Sequence, residues 1–362
     1  MPIWETRTNG DELLSNFISL LEKEVISKGS FQDDYDFYCN QFKIVRCPFI
    51  KSNVIDGEVE SVKVLNCISD LSSWRAALLA CCTVGSKVVE FSIHQSKLTP
   101  VHILDLAKAA EKSGMIQIVK LQYLSIDWDA ENKGAYIAAF ISLLNDITGI
   151  EYLSFKGNKF GDKITQEIIA NIGKNFKLKC VNLADNDLTD AGAQGLLQSL
   201  RLNTNIKDIS LAKNNISGDF INTILGPILL GTESANGDDE AAVKASTKYV
   251  NDRNKQIKDL NKKRKKAGFS ELLEYQLPGE CITKRDGGLF IFNQSFNSFD
   301  ISGNPIEADQ LHAFVESINS ASTTLSVSAS QIALICKEVN IAKESVAELK
   351  AFECPWIRIV LN

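Results

Sequence analysis

The sequence predicts an α/β protein, a right-handed, horseshoe-shaped solenoid with a parallel concave β-sheet and outer helices. Three observations lead there. Residues 178–202, LKCVNLADNDLTDAGAQGLLQSLRL, join a short alternating segment to one with helical period. Related stretches begin at Ile150 and Ile206, so consecutive copies start 28 residues apart (178 − 150 and 206 − 178). Each copy places an asparagine at the same point: Asn158, Asn186 and Asn214. Internal repetition of this length means stacked units, none of which can bury its apolar faces alone.

Within one unit, Val181 and Leu183 are two apart and share one face of a strand, while Asn182 and Ala184 face the other way. Asn186 stands where the chain turns out of the strand, and its amide can bond backbone groups that the turn leaves unpaired. Thr189 or Asp190 is a natural helix N-cap. Ala193, Leu196, Leu197 and Leu200 then form an apolar stripe at i, i+3, i+4 and i+7.

The other copies follow the same positions. Ile150, Leu153, Phe155 and Phe160 surround Asn158; Ile206, Ile209, Leu211 and Ile216 surround Asn214. Downstream, 296–306 is a strong copy with Asn304. Upstream, 88–98 carries Ser96 in place of the asparagine, and 118–128 is expected to carry Ile126 there. Val59, Val62, Val64 and Cys67 make a degenerate first copy, and Leu325, Val327, Ser330 and Ile332 a fading last one. The pattern N-x-L-T-D-x-G-x-x-x-L, from Asn186 to Leu196, resembles the ribonuclease-inhibitor class of leucine-rich repeats over roughly residues 59–360. That resemblance implies a leucine-rich-repeat solenoid. Members of the class include enzyme inhibitors, activators of a small GTPase, actin-filament caps and ciliary components, so fold does not choose among activities.

Four regions follow. Residues 1–58 lack the repeat and read as an N-terminal helical cap, with Leu14, Phe17, Leu21 and Val25 on one helix face. Residues 59–231 are the first block of repeats, including the apolar helix 220–230. From Ile206 to Phe296 is 90 residues, 62 more than one period (90 − 28), so 232–290 is an insertion. It is charged and partly helical, and it looks dispensable for folding because the apolar register resumes beyond it. Residues 291–362 are the second block, ending in a capping strand with Trp356, Ile357, Ile359 and Leu361 alternating.

The chemistry sought in the sequence is that of a binder. Nine cysteines include no C-x-x-C pair, and the polar start MPIWETRTNG opens no apolar leader, so a reduced, cytoplasmic protein is expected. A net charge of −6 predicts no general attraction to nucleic acid or membrane. The three histidines, His94, His102 and His312, join no metal or catalytic motif, and no phosphate-cradling loop occurs. No enzyme activity, cofactor or metal is therefore expected.

Two surfaces are candidate partner sites. On the concave face a small polar column is expected at Lys63, Ser92, Gln122, Ser154, Asn182, Ser210, Asp300 and Ser326. Mixed charge flanks it at Lys156, Lys179, Asp185, Lys207, Asp208 and Lys213. In the insertion, Lys262, Lys263, Arg264, Lys265 and Lys266 form a basic run suited to an acidic protein surface. The sequence thus reads as a protein-protein interaction scaffold within a larger assembly, similar to cytoskeletal or ciliary members of the class. A GTPase-activating protein of the Ran type and an inhibitor acting through the concave face are the alternatives.

Overall fold

The computed structural model describes residues 10–55, 57–67, 70–145, 149–285, 287–291, 293, 295–322, 332–338, 349 and 357–361. These divide into two units, residues 1–154 with 253–274 and residues 155–252 with 275–362.

The first unit begins with helices α1 (Gly10–Leu21) and α2 (Phe31–Gln41), followed by strand β1 (Ile50–Ile55). The N-terminal segment, expected as a helical cap, therefore also contributes a strand. It runs antiparallel to β2 (Val59–Leu65), Ile50 opposite Val64, and covers an edge that would otherwise offer open backbone groups. Then α3 (Leu71–Cys81), β3 (Val88–His94), α4 (Pro100–Ser113), β4 (Ile118–Gln122), α5 (Lys133–Leu143) and β5 (Tyr152–Ser154) alternate. Strands β2 to β5 pair in parallel in chain order. Val62, Val64, Phe91, Ile93, Val119, Leu121 and Leu153 form their inner face, each fully buried.

One register differs from expectation. Phe91 lies opposite Val119 and Ile93 opposite Leu121, which puts Leu124, not Ile126, at the asparagine position. The repeat therefore starts at Ile116, 28 residues after Val88, and Lys120, not Gln122, stands opposite Ser92 and Ser154. Apolar residues at 116, 118, 119, 121, 124 and 126 fit either frame on paper; burial of Ile116, Val119, Leu121 and Leu124 selects this one. The extra length goes into the turn that follows, where the Ile126 N–H reaches back to the Leu124 carbonyl at 3.1 Å. The same bond closes the turn of a regular repeat, from the Ile306 N–H to the Asn304 carbonyl at 2.8 Å.

The second unit holds α6 (Gly161–Ile172), β6 (Cys180–Asn182), α7 (Asp190–Leu200), β7 (Asp208–Ser210) and α8 (Gly218–Phe220). A single π-helical turn, Ile221–Leu225, joins α8 to α9 (Gly226–Leu230). Pro227 lacks the N–H that a regular helix would donate back, which accounts for the wider turn just before it. The insertion supplies β8 (Glu233–Ser234), β9 (Ile282–Arg285) and β10 (Gly288–Ile291), a small antiparallel sheet with β10 in the middle. It also supplies α10 (Gly237–Lys266), of which residues 237–252 belong to this unit and 253–266 to the first. Beyond it come β11 (Ser298–Asp300), α11 (Ala308–Ser322), β12 (Ile332–Ile335) and β13 (Ile357–Val360). The strand β11 pairs directly with β7, then β12 with β11 and β13 with β12, all parallel. The last repeat strand thus begins at Ile332, later than the frame starting at Leu325; residues 325–330 lie outside the described residues.

What locks the second unit is a ladder of buried asparagines. Asn186 Oδ1 accepts from the Asn158 and Phe160 N–H groups, at 3.0 and 3.4 Å, and its Nδ2 donates to the Phe155 and Ala184 carbonyls. Asn214 does the same one unit on, accepting from Asn186 and Leu188 and donating to Leu183 and Leu211. Asn304 continues the series across the insertion, accepting from Asn214 and Ile216. A second ladder lies at the opposite end of the strands. Asn203 Nδ2 donates to the Asn175 carbonyl at 3.0 Å, and Asn293 Nδ2 to the Asn203 carbonyl at 2.9 Å. A third links helix starts: Asp162 accepts from the Thr189 N–H and hydroxyl, and Asp190 from those of Ser217.

Leu183, 1% exposed, sits behind β6 in this frame. Replacing it with alanine is expected to cost about 2–5 kcal/mol, the loss of a buried side chain plus its cavity. Lys213→Ala on the surface should cost under about 0.5 kcal/mol. Denaturant midpoints of the two variants test this, and equal shifts would contradict the register.

Candidate functional site

Seven flanking and column residues expected on the concave face fall in the second unit: Lys156, Lys179, Asn182, Asp185, Lys207, Asp208 and Lys213. The strands place them in rows. Asn182, Ser210 and Asp300 stand side by side across β6, β7 and β11, and Cys180, Asp208 and Ser298 form the next row. Much of this polarity is spent internally. Asp208 accepts from the Ser298 hydroxyl at 2.6 Å, and Asp300 accepts from the Ser210 and Ser302 hydroxyls at 3.2 and 2.6 Å. Asn182 Oδ1 takes the Ala184 N–H at 2.9 Å.

The flanking charges divide by geometry. Lys207 turns its ammonium onto the Thr204 carbonyl at 2.8 Å; burial lowers its pKa, against the pull of Asp208. Asp185 and Lys213 adopt left-handed backbone, φ 57° and 55°, at the exit from their strands, and their N–H groups bond to the Ala212 and Ser302 carbonyls. Lys213 pairs with Glu338 at 3.2 Å, both well exposed. Lys156 is half-buried and Lys179 exposed. Cys180, in the row with Asp208, has its thiol pushed up to about 12, first by burial and then by that carboxylate. The surface offers hydrogen-bonding groups and two exposed cations, without an activated nucleophile.

The five residues of the insertion's basic run do different things. Lys262, Lys263, Lys265 and Lys266 are exposed, and Lys262 makes a surface pair with Asp259 at 2.9 Å. Arg264 is buried. Its guanidinium donates to the Lys112 and Ser113 carbonyls, at 3.0 and 2.8 Å, and to the Ser270 carbonyl at 2.8 Å. Those first two carbonyls are orphans at the C-terminus of α4, where the helix dipole also favours a cation. Phe269 lies under Arg264 and Lys112, 5.3 and 4.8 Å from ring centre to charge. Gly114, in left-handed backbone with φ 66°, ends α4, and any side chain there would run into Leu272 and Arg264. Asn261 clamps the returning strand of chain by giving to and taking from Leu272, each at 2.8 Å.

The insertion is thus packed, not a loose excursion. Val250, Ile257 and Arg264, seven residues apart, are the buried stripe of α10, while Lys255, Lys258, Lys262 and Lys266 are exposed. Tyr275, Cys281 and Ile291 are buried beyond it. At its start, Arg201 bonds Glu233 at 2.9 Å and Asp239 as well. The seven-residue spacing was the available sequence signal, masked by the surrounding lysines. Beside the arm, a cleft of about 410 Å³ is lined by Ile18, Leu21, Leu260, Lys263, Phe269 and Leu272, among others.

Among the described residues no group of three or more His, Cys, Asp or Glu is placed to hold a metal ion, and no helix is long and apolar enough to cross a membrane. The architecture is that of a leucine-rich-repeat protein, an α/β fold of parallel strands alternating with helices. A family model described as Leucine Rich repeat matches residues 174–197, which hold β6 and most of α7. A search of curated proteins finds no match. The repeat supports a role in binding other proteins, and its family is generally non-enzymatic.

Proposed function

We propose that the chain is a non-enzymatic scaffold of the ribonuclease-inhibitor class that docks an acidic protein surface on the exposed lysines of α10, within a cytoskeletal or ciliary assembly. The observation that carries this reading is the anchoring of Arg264. A flexible basic loop would lose conformational entropy on binding; here the buried arginine fixes the helix, so Lys262, Lys263, Lys265 and Lys266 stand ready on a rigid element. The self-bonded acids and serines of the concave face in the second unit make that surface a weaker contact, and its exposed Lys213 is already paired with Glu338.

The test is co-sedimentation with microtubules, whose surface is acidic, as a function of salt. Reversing Lys262, Lys263, Lys265 and Lys266 to glutamate is expected to weaken binding at least tenfold and to flatten its salt dependence, since screening shortens from ~10 Å at 0.1 M to ~3 Å at 1 M. The variant should melt with the parent, because none of the four side chains is buried. Binding that is unchanged by reversal, or that is absent in the parent at low salt, would overturn this assignment.

A further inference from the structure

Cys47 and Cys67 lie outside both surfaces, and their sulfur atoms are 3.4 Å apart. We propose that they are a peroxide-responsive pair, closing to a reversible disulfide. Cys67 is 2% exposed and rigidly held on the turn that leaves β2: its N–H donates to the Ser96 hydroxyl at 3.2 Å, and its carbonyl accepts from the Lys97 N–H at 3.0 Å. Cys47 is half-buried on the loop between α2 and β1, its N–H shared between the Tyr35 and Ser73 hydroxyls at 3.0 Å each. A cavity of about 180 Å³, lined by Arg46, Pro48, Phe49, Asp70 and Ser73, adjoins both cysteines and admits a small oxidant.

The two thiols have different characters. The Cys67 S–H and the backbone N–H groups of Phe49 and Ile50 stabilise the Cys47 thiolate, and together they outweigh burial and the opposing Asp70 carboxylate, bringing it down to about 6. Cys67 is raised by its role as donor and by burial. The remaining described cysteines with shifted thiols, Cys39, Cys81, Cys82, Cys180, Cys281 and Cys336, are all pushed up by burial. Thiolate character and access govern oxidation, so Cys47 is the sulfur that peroxide finds first.

The chemistry balances with hydrogen peroxide as oxidant. The Cys47 thiolate attacks one peroxide oxygen; the S–O bond forms, the O–O bond breaks, and hydroxide leaves and takes a proton. Cys67 then attacks the Cys47 sulfur, surrendering its proton; the S–S bond forms, the S–O bond breaks, and water departs. Two thiols lose two electrons and one peroxide becomes two waters. Closure to a bond of about 2.0 Å needs a movement of little more than an ångström, within reach of side-chain rotation on a loop. The bond would pin the loop that displays the exposed Val45 and Phe49 to the turn after β2.

The reduced chain is treated with a few equivalents of hydrogen peroxide at pH 7, quenched with N-ethylmaleimide and mapped by mass spectrometry. The expected result is a linked peptide pair containing Cys47 and Cys67, lighter by two hydrogens, with the other cysteines still alkylated and full reversal by dithiothreitol. Iodoacetamide should modify Cys47 at least about tenfold faster than Cys180 at pH 7, with a rate that rises through a midpoint near pH 6. Cys67→Ser should leave a dimedone-trappable sulfenic acid at Cys47. Oxidation of other cysteines before Cys47, or pairing of Cys47 between molecules with Cys67 left reduced, would overturn the proposal; the parent measurements decide it even if a variant fails to fold.

Discussion

Replacing Asn214 with alanine is expected to be among the most damaging single changes in the second unit. The side chain satisfies two N–H groups, of Asn186 and Leu188, and two carbonyls, of Leu183 and Leu211, all buried. Alanine can replace none of these bonds; the Leu211 carbonyl keeps its bond from Asn304 Nδ2 at 2.9 Å, but each of the other three orphaned buried groups costs about 1–3 kcal/mol, so a loss of about 3 kcal/mol or more is expected. Asn182→Ala removes one bond on the half-buried face and should cost about 1 kcal/mol or less. Denaturant unfolding compares the two, and hydrogen exchange should show the Asn186 and Leu188 amides losing protection first. Equal midpoints for both variants would refute the ladder as the lock of this unit.

The second large effect is expected at Arg264. Its three bonds are all to carbonyls and charge-assisted, the one to Ser113 buried and the other two partly so, and Arg264→Ala leaves the end of α4 without its partner. Hydrogen bonds to charged groups contribute about 1.5–3 kcal/mol each, not additively, so a destabilisation of about 3–4 kcal/mol is expected. Arg264→Lys should recover less than half, because an ammonium cannot reproduce the planar fork. Lys265→Ala and Lys266→Ala, one and two residues away, should shift stability by under about 0.5 kcal/mol. Replacing 232–290 with a Gly/Ser linker should therefore destabilise the protein strongly rather than leave it unchanged. A melting curve for Arg264→Ala that overlays the parent would show that the arm is not anchored there.

What the sequence made legible was whatever burial writes into periodicity. Val181, Leu183 and Asn186 repeat because every unit must solve the same packing and turn problem, so strand, face and asparagine could be read together. The frame at 116 was ambiguous because β4 is apolar at too many neighbouring positions for alternation to choose. The second asparagine ladder, Asn175, Asn203 and Asn293, keeps the same 28- and 90-residue spacings (203 − 175 and 293 − 203) but sits in loops, where no hydrophobic pattern draws attention to it. Arg264 was invisible for a different reason: its partners are backbone carbonyls about 150 residues away, which carry no side-chain signature. On the concave face, the alternation showed which residues point outward. It could not show that Asp208 and Asp300 are already occupied by serine hydroxyls.

The pairing of β7 with β11 also governs how the second unit comes into being. Strands β6 and β7 meet over 28 residues, whereas β11 reaches β7 over 90 (Ser298 opposite Asp208). The added loop-closure entropy, (3/2)RT ln(90/28), is only about 1 kcal/mol, so equilibrium is little affected. Time is affected more. On a ribosome adding about 5–20 residues per second, some 5–20 seconds pass between the emergence of β7 and that of the strand that covers it. Throughout that interval β7 is a bare sheet edge, able to template pairing with another nascent chain. The interval between these two strands is thus the period of greatest exposure to misassembly, and the step at which a chaperone has most to offer.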